Sequence, residues 1–280
     1  MNIEELRKQS IHNRIDIIEM IAEAGSGHPG GSLSCIDILT VLYFDKMNID
    51  PANPEWSDRD RFVLSKGHAA PALYACLAEK GYFSKRTLLT LRKLKSILQG
   101  HPDCVRTPGV DTSSGSLGQG LSIANGMALA AKIDGKDYLV YAVLGDGEIQ
   151  EGQIWEAAMT AAHHCLGNLI AFVDWNGLQI DGRCDELKSI CPIEDKFSAF
   201  GWHVISIDGH DFEQIIRAIE EAQGVTDKPT MIVAKTTKGK GVSFMEDNIG
   251  FHGKAPNEEE TKQALQELQE SLEQEGGTDE

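Results

Sequence analysis

The sequence predicts an α/β fold in which helices cover both faces of one parallel sheet. Short apolar segments alternate with segments of helical periodicity through most of the chain, which is the pattern of a parallel sheet with crossover helices. The two clearest apolar segments, LVYAVL and LIAFV, are apolar at every residue, which is typical of strands buried on both faces. Ligands of such sheets bind beyond the carboxyl ends of the strands, so a site is expected in the loops that follow them.

Apolar periodicity and turn residues place the individual elements. The first helix is predicted over residues 3–24, where Ile15, Ile18 and Ile21 recur near helical spacing and Gly25 marks the stop. Ser34 and Asp37 resemble a capping box, so a second helix is predicted from Ser34 to about residue 44. Further helices are predicted from residue 69 and over residues 119–132, 150–164, 211–222 and 256–274. Strands are predicted over residues 61–65, 138–144, 169–174, 203–208 and 231–235.

Composition and charge exclude several classes of protein. Of the 280 residues, 41% are hydrophobic and 25% are charged, which is a globular balance and excludes disordered and fibrous classes. The 26 lysines and arginines against 43 acids give a net charge of −17, so neither nucleic acid nor an anionic membrane is an expected partner. Residues 257–280 hold nine acids and one lysine, and we predict an acidic helix and tail there, after a main domain of residues 1–256.

Cysteine spacing and the N-terminus predict a cytoplasmic protein. The six cysteines form no CxxC pair, so zinc and redox motifs are unsupported and a reducing compartment fits best. The N-terminal sequence MNIEELRKQS lacks the apolar core of a signal peptide. The longest apolar run, residues 138–144, is too short to cross a bilayer. We therefore expect a soluble protein of the cytoplasm.

Two neighbouring strand ends carry oxygen ligands for a metal ion. The strand over residues 138–144 ends in Gly-Asp146-Gly-Glu, and the strand over residues 169–174 ends in Trp-Asn176-Gly. A single crossover helix separates the two strands, so both ends are expected side by side. Carboxylate and amide oxygens suit Mg²⁺, which shares its ligand sphere with substrate phosphates. Gly147 allows a diphosphate to approach the backbone at a helix start. The alternative is an ordinary turn with an aspartate cap.

Four of the nine histidines lie in loops beside glycine: His28, His68, His101 and His252. Near neutral pH, histidine can exchange protons and bind anions. A single loop histidine is more often a surface or capping residue, but four of them at element junctions of one sheet indicate a site. The other five histidines lie within or beside predicted regular elements and are expected to be structural.

Two glycine-rich loops could line a ligand site. The loop GSLGQG, residues 115–120, precedes a helix, and Leu117 in it could form an apolar wall against a flat ring; the alternative is a tight helix entry. The loop KTTKGKG follows a predicted strand and concentrates positive charge in an acidic protein, which would suit a diphosphate or sugar phosphate; the alternative is a solvated loop. Glu151 and Glu156 begin a crossover helix, where acids complement the helix dipole or could face a partner subunit.

At these positions the sequence resembles the transketolase family. GDGEIQEGQIWEA with DWNGLQIDG resembles the motif for thiamine diphosphate and its metal. AGSGHPGG, DRFVLSKGHAAPALYA, QGHPD, SSGSLGQGLS and the pair KTTKGKG and FHGKAP also resemble transketolase, in the order of that family. The match covers about residues 7–256. It implies the fold of the diphosphate-binding domain and the cofactors thiamine diphosphate and Mg²⁺, with Ca²⁺ or Mn²⁺ as other possible metals.

The resemblance also implies roles for individual residues. The metal would be held by Asp146, Asn176 and the backbone carbonyl of Leu178. The cofactor's diphosphate would be met by His68, Gly147 and Lys238. The aminopyrimidine pocket would be lined by Gly115 and Leu117, with Ser116 between them also at the cofactor. The reacting ketose would be surrounded by His28, His101 and His252, which would shuttle protons, and His252 would also touch the cofactor. Glu151 would belong to an acidic network between subunits.

The length of the chain predicts a split enzyme. Transketolases carry a second α/β domain that supplies the glutamate activating the aminopyrimidine, and no second sheet remains to be placed here. The resemblance therefore implies one half of a two-chain transketolase that transfers a two-carbon ketol unit between sugar phosphates. The other chain would supply the pyrimidine-binding and C-terminal domains, in an α2β2 assembly.

Other functions stay open at this point. One is half of another split thiamine enzyme, acting on a branched pentulose phosphate or related to deoxyxylulose-phosphate synthesis; the KGHAAPALY and HGKAP motifs favour transketolase over the latter. Another is a regulatory subunit without catalysis, which is disfavoured because Asp146, Asn176 and His68 are present. A nicotinamide-binding protein is also disfavoured, since no GxGxxG motif follows an early strand.

Overall fold

A parallel sheet of five strands forms the centre of the computed structural model, which describes residues 1–276. The strands of the chain are β1 (Arg61–Leu64), β2 (Val140–Gly145), β3 (Leu169–Trp175), β4 (Leu178–Gln179), β5 (Gly182–Arg183), β6 (His203–Asp208) and β7 (Thr230–Lys235). The order in the sheet is β1-β2-β3-β7-β6, and every neighbouring pair is parallel. The short strands β4 and β5 form a separate antiparallel hairpin. The predicted α/β class and parallel sheet are confirmed.

Helices pack against both faces of this sheet. Their bounds are α1 (Ile3–Ala24), α2 (Pro29–Val41), α3 (Ala70–Lys80), α4 (Gly120–Asp134), α5 (Gly152–His163), α6 (Cys184–Leu187), α7 (Ile193–Ala199), α8 (Phe212–Gln223) and α9 (Glu258–Gly276). Short helical turns cover Leu42–Lys46, Gly67–Ala69, Lys85–Thr90, Gly147–Gln150 and Ile249–Phe251. One core lies between the sheet and α1, α2, α3 and α8, and a second lies between the sheet and α4, α5 and α7.

The side chains of each central strand divide between the two cores. In β2, Tyr141 and Val143 belong to the first core, whereas Val140, Ala142 and Leu144 belong to the second. Strand side chains alternate between the two faces, and in β2 those of both faces are fully buried. This burial explains why the strand segments are apolar at every residue.

The second helix begins earlier than the sequence pattern predicts. Pro29 stands in the first turn of α2, where its fixed φ favours a helix start. The expectation of a capping box at Ser34 is therefore wrong, because Ser34 lies inside the helix and is buried. Its hydroxyl donates to Asp174 Oδ2 at 2.6 Å. Asp37 likewise forms no cap and instead pairs with Arg14 at 2.7 Å.

The last described helix, α9, packs on the first. It begins after Asn257, whose side chain accepts a hydrogen bond from the Glu260 N–H at 2.9 Å, and it places Ala264 and Leu268 in the first core. The acidic segment predicted for residues 257–280 is thus helical as far as residue 276, and its last four residues lie outside the described part. Within residues 1–276, every helix is too short or too polar to cross a membrane.

Candidate active site

A cavity of about 360 Å³ opens beyond the carboxyl ends of β2 and β3. Among its lining residues are eleven of those singled out from the sequence: His28, His68, His101, Gly115, Leu117, Asp146, Gly147, Asn176, Leu178, Lys238 and His252. Two others, Ser116 and Glu151, are exposed and do not line it. Residues from six connecting segments, far apart in the chain, therefore meet at the edge of the sheet where parallel-sheet proteins bind ligands.

The register of β2 and β3 places the two predicted metal-binding loops side by side. Gly145 pairs with Asp174 across the two strands, so Asp146 and Asn176 leave the sheet as neighbours. Asp146 accepts hydrogen bonds from the N–H of Gly147 at 2.7 Å and from the N–H of Gly177 at 2.5 Å. These bonds fix the carboxylate between both loops.

The donor set of this corner fits a hard divalent cation. Within residues 1–276, no group of three or more His, Cys, Asp and Glu side chains is arranged to hold a metal. A carboxylate, an amide and the Leu178 carbonyl are instead the oxygen donors that Mg²⁺ and Ca²⁺ take. Asp146 is 3% exposed, and burial, followed by the neighbouring Asp174, raises its pKa to about 6. A bound cation would offset that cost.

Two buried lysines approach the same corner. The ammonium of Lys66 pairs with Asp174 and also donates to the Gly31 carbonyl at 2.8 Å. Burial opposes its charge, but the Asp174 carboxylate outweighs that effect and raises the pKa of Lys66. Lys238 donates to the Leu178 carbonyl at 2.9 Å. Burial, and then Lys66, lower the pKa of Lys238 to about 8. Because burial disfavours the charged form of Lys238, an anionic ligand beside it would stabilise its ammonium.

Three of the predicted histidines form one cluster in the same cavity. The ring of His28 lies 5.3 Å from that of His68 and 5.6 Å from that of His252, and the rings of His68 and His252 are stacked at 5.4 Å. Burial, together with nearby cations, lowers the pKa of His28 to about 4 and that of His252 to about 3. The pKa of His68 also falls far below its usual value, chiefly through burial. At neutral pH these rings are uncharged.

Two nitrogens of this cluster lack a partner. The Nδ1 atoms of His28 and His252 are buried and form no hydrogen bond with any described residue. Buried polar atoms are normally paired, so these two nitrogens leave hydrogen-bonding capacity unused beside the cavity. Both residues also line the cavity, where an imidazole can bind a polar ligand.

His101 and Gly115 form the third part of the wall. Gly115 has φ of 149°, and a Cβ atom there would lie 3.1 Å from His101 Cγ. Glycine thus lets the loop of residues 114–118 pass directly over the histidine ring. The Tyr74 hydroxyl bonds with the backbone carbonyls of Gln99 and His101 at 3.0 and 3.1 Å, which holds the His101 loop in place.

Some residues of the cavity were not predicted from the sequence. They are Gly31, Lys66, Gly145, Glu148, Gln179, Ile180 and Asp181. Glu148 accepts hydrogen bonds from the Ser65 hydroxyl and from the N–H groups of Gly118 and Gly145, so it ties three loops together. Lys66 could have been found from its place in SKGH beside His68, and Gln179 from its place after WNGL. Nothing local in the sequence distinguishes Glu148 from a cap.

Comparisons with known proteins agree with this geometry. The family model described as "Transketolase, thiamine diphosphate binding domain" matches residues 7–273. A 6-deoxy-6-sulfo-D-fructose transketolase subunit from Clostridium sp. is 52% identical over 252 residues, covering 90% of this chain and 92% of that protein. An apulose-4-phosphate transketolase subunit from Phocaeicola vulgatus is 44% identical over 273 residues, covering 98% of this chain and 97% of that protein.

A solved structure shows the same fold. Transketolase from Campylobacter jejuni superposes with a TM-score of 0.91 at 38% identity, over 96% of this chain and 43% of that one. The chain thus spans less than half the length of that enzyme but nearly the whole length of the two relatives named as subunits. Because the family model covers almost all of the chain and these relatives share well over 30% of its residues, the chain belongs to the transketolase family and comprises its thiamine diphosphate-binding domain.

Proposed function

We propose that this chain is the cofactor-binding subunit of a two-chain transketolase. The assembled enzyme transfers a two-carbon ketol unit from a ketose phosphate to an aldose phosphate. The observation that carries the proposal is the meeting of Asp146, Asn176, Lys238 and the histidine cluster in one cavity. The chain's correspondence over nearly its full length to relatives named as transketolase subunits supports the split arrangement.

The metal and the diphosphate belong at the corner between β2 and β3. Asp146, Asn176 and the Leu178 carbonyl hold Mg²⁺, or Ca²⁺ or Mn²⁺ in its place. Lys238, His68 and the Gly147 N–H meet the diphosphate, and Gly115 and Leu117 lie along the aminopyrimidine. Lys66 is already paired with Asp174, so the metal and Lys238 balance most of the charge that the diphosphate brings into this buried corner.

Bound thiamine diphosphate supplies the carbon–carbon bond chemistry. The chain's own contribution is to orient the sugar and to handle its protons. His28, His101 and His252 line the cavity, and burial lowers the pKa of all three. They therefore act as neutral imidazoles, each able to accept a proton from a sugar hydroxyl at one nitrogen and to donate one from the other. Because these three rings are neutral, Lys238 is the cation that meets the diphosphate.

A second chain completes the site. It contributes the pyrimidine-binding and C-terminal domains, and two copies of each chain assemble as α2β2. The exposed Glu151, which stands before α5, faces the partner in this arrangement. Cytoplasmic location remains a prediction from the sequence.

The sugar is a ketose with an anionic end, and one observation favours a specific second candidate. The relative with 52% identity is named for 6-deoxy-6-sulfo-D-fructose, and the one with 44% identity for apulose 4-phosphate. A sulfonate and a phosphate are both tetrahedral anions, so either tail suits the same kind of site. We therefore include a sulfosugar beside the sugar phosphates. Assays of the reconstituted pair with fructose 6-phosphate, 6-deoxy-6-sulfofructose and apulose 4-phosphate separate these substrates.

Cofactor binding to metal-site variants tests the proposal. Thiamine diphosphate affinity is measured by calorimetry with Mg²⁺ for the complex of both chains, with wild type, Asp146→Asn and Asp185→Asn. Asp185 is the control, because it is exposed and pairs with the exposed Arg183. We expect Asp146→Asn to weaken binding by at least about tenfold and Asp185→Asn to leave it unchanged. Equal affinity of Asp146→Asn and wild type would exclude this metal site.

A further inference from the structure

Two side chains from distant elements form hydrogen bonds with the backbone of the loop that carries Lys238. The Thr237 N–H donates to His210 Nε2 at 2.8 Å. On the other side of Lys238, the Lys240 carbonyl accepts from Arg14 Nε at 3.0 Å. His210 lies between β6 and α8, and Arg14 lies in α1. The backbone is thus anchored one residue before and two residues after the lysine.

Both anchors converge on one buried carboxylate. Asp37 of α2 is 3% exposed. His210 Nδ1 lies 2.8 Å from its Oδ2, and the Arg14 guanidinium contacts both oxygens, at 2.9 and 2.7 Å. Although burial opposes its charge, Arg14 and then His210 hold the pKa of Asp37 far below its usual value. The carboxylate is therefore charged at every relevant pH and fixes the orientation of both partners.

These contacts determine the tautomer of His210. Its Nε2 accepts from a backbone N–H and so carries no hydrogen, which leaves the hydrogen on Nδ1 for the bond to Asp37. The ring is then a rigid link from α2 to the Thr237 amide. Among residues 1–276 that amide has no other acceptor, so the ring is what fixes the backbone at Thr237.

Lys238 needs such support. It is 2% exposed, its ammonium donates to the Leu178 carbonyl at 2.9 Å, and burying an ammonium costs free energy. Without a fixed backbone, the long side chain could relieve this cost by turning toward solvent. Two backbone bonds also hold the loop close by: the Gly239 N–H donates to the Gly30 carbonyl at 3.0 Å, and the Asp247 N–H donates to the Lys238 carbonyl at 2.9 Å.

We propose that Asp37, His210 and Arg14 form a brace that positions Lys238 for the anionic group of the cofactor. His210 and Asp37 are positioning residues, since neither lines the cavity. This inference rests on the proposed function to the extent that it names the diphosphate as the group that Lys238 meets. The brace itself is a property of the chain and can be tested without cofactor.

The test compares four variants in the complex of both chains. His210→Phe removes both bonds of the ring, His210→Ala is the second variant in case the larger ring does not fit, and His210→Gln keeps one donor and one acceptor. The matched control is His203→Gln, because His203 is a half-buried histidine of β6 that pairs with the exposed Glu221. Three quantities are measured: the KM for thiamine diphosphate, kcat at saturating cofactor, and amide hydrogen exchange of residues 236–241 without cofactor.

We expect the KM for thiamine diphosphate to rise about tenfold in His210→Phe or His210→Ala, the effect of one lost hydrogen bond of about 1.4 kcal/mol. We expect kcat at saturating cofactor to change less than about twofold, because the histidine cluster stays intact, and His210→Gln to recover most of the affinity. Exchange at Thr237 should accelerate in the Phe and Ala variants alone. A purely structural role would instead lower the folded fraction and kcat together.

Two outcomes overturn the inference. One is an unchanged exchange rate at Thr237 in both His210→Phe and His210→Ala, which would exclude the brace whether or not cofactor binds. The other is accelerated exchange with an unchanged cofactor KM, which would show that the brace does not serve Lys238. Failure of the wild-type complex to bind thiamine diphosphate would instead refute the proposed function, and the exchange rates would then decide on the brace by themselves.

Discussion

Lys238 Nζ lies 2.9 Å from the carbonyl oxygen of Leu178. The lysine is predicted to meet a diphosphate, and the carbonyl is predicted to hold its metal ion, so the two roles meet at one point. A buried ammonium destabilises the folded chain. This one lies where an anionic ligand would bind. The relationship implies a conflict between the stability of the chain and its function.

Replacing this lysine tests that conflict. We expect Lys238→Met to increase the free energy of unfolding at pH 7 by about 1–2 kcal/mol, because a cation whose pKa burial lowers to about 8 is exchanged for an apolar side chain of similar length. The same variant should lose most of its affinity for thiamine diphosphate. Urea unfolding without cofactor and calorimetry of the complex measure the two effects.

The control for this variant is the lysine two residues further along. Lys240 is half-exposed and lies 3.4 Å from Glu246, so Lys240→Met should change stability by less than about 0.5 kcal/mol and leave cofactor affinity intact. A loss of stability in Lys238→Met, or an equal loss of affinity in both variants, would contradict the idea that the buried ammonium serves the ligand.

The part of the site at the strand ends could be predicted from the sequence, because its residues are adjacent in sequence to the strands that position them. Asp146 and Asn176 follow their strands directly, and a parallel sheet with one crossover helix can only place them side by side. The loop histidines and Lys238 were found for the same reason, each lying beside glycine at an element junction. The start of α2 was missed because a glycine-rich segment has low helix propensity, and close packing of Gly31 against His68, where a Cβ would lie 3.3 Å from the ring, overrides it.

Contacts between residues far apart in the sequence could not be predicted from apolar periodicity and secondary-structure propensity. The Lys66–Asp174 pair joins residues 108 positions apart, and the Asp37–His210 contact joins residues 173 positions apart. Each of these residues has an ordinary local interpretation: Asp174 ends a strand, Asp37 resembles a cap, and His210 lies in a turn. Only the packing of α1 and α2 on the sheet shows that they share buried partners.

The buried pair of Lys66 and Asp174 should behave as one unit. Lys66 is 1% exposed and Asp174 is fully buried. Removing one partner leaves the other charge without compensation, so we expect Lys66→Met and Asp174→Asn each to cost about 3–5 kcal/mol, and the double variant to cost much less than their sum. Urea unfolding of the three variants gives the coupling energy.

An exposed ion pair serves as the comparison for that coupling energy. Arg217 and Glu213 lie one turn apart on α8 and are both exposed, and their coupling energy should stay below about 0.5 kcal/mol. Additive effects of the two substitutions at Lys66 and Asp174 would mean that the pair is not coupled and that other groups stabilise each charge.

Gly67 should tolerate no side chain, because two loops of the cavity touch there. A Cβ atom at Gly67 would lie 2.6 Å from Ser114 Oγ and 2.8 Å from the backbone nitrogen of Gly115. We expect Gly67→Ala to push the Gly115 loop away from its neighbour, to lower stability by about 1–3 kcal/mol and to weaken cofactor binding.

Another glycine gives a control in which substitution by alanine should raise stability instead of lowering it. Gly126 lies in the middle of α4, and a Cβ there would meet nothing within 4 Å. Gly126→Ala should therefore stabilise the isolated chain by about 0.5–1 kcal/mol, because alanine favours the helix. Thermal unfolding of both variants tests the pair, and a Gly67→Ala chain as stable as wild type would show that the two loops separate without cost.

Asp16 should make the stability of the chain depend on pH. Its side chain in α1 is 2% exposed, and one carboxylate oxygen contacts Lys85 at 3.1 Å, while the other has no hydrogen-bond partner among residues 1–276. Burial raises the pKa of Asp16 to about 7, although Lys85 opposes the shift. The native state thus holds a proton that the unfolded chain releases near pH 4. Stability from this residue is complete below pH 4 and is lost as the pH rises to about 7.

Asp16→Asn removes this titration. We expect the variant to gain stability relative to wild type between pH 5 and pH 8, by on the order of 2 kcal/mol, since only wild type must charge a buried carboxyl over that range. Urea unfolding at both pH values gives the difference. Glu19→Gln, at an exposed position of the same helix, should show no such change. If the stability gap between Asp16→Asn and wild type is the same at pH 5 and pH 8, Asp16 is already charged at pH 5, and Lys85 compensates its burial.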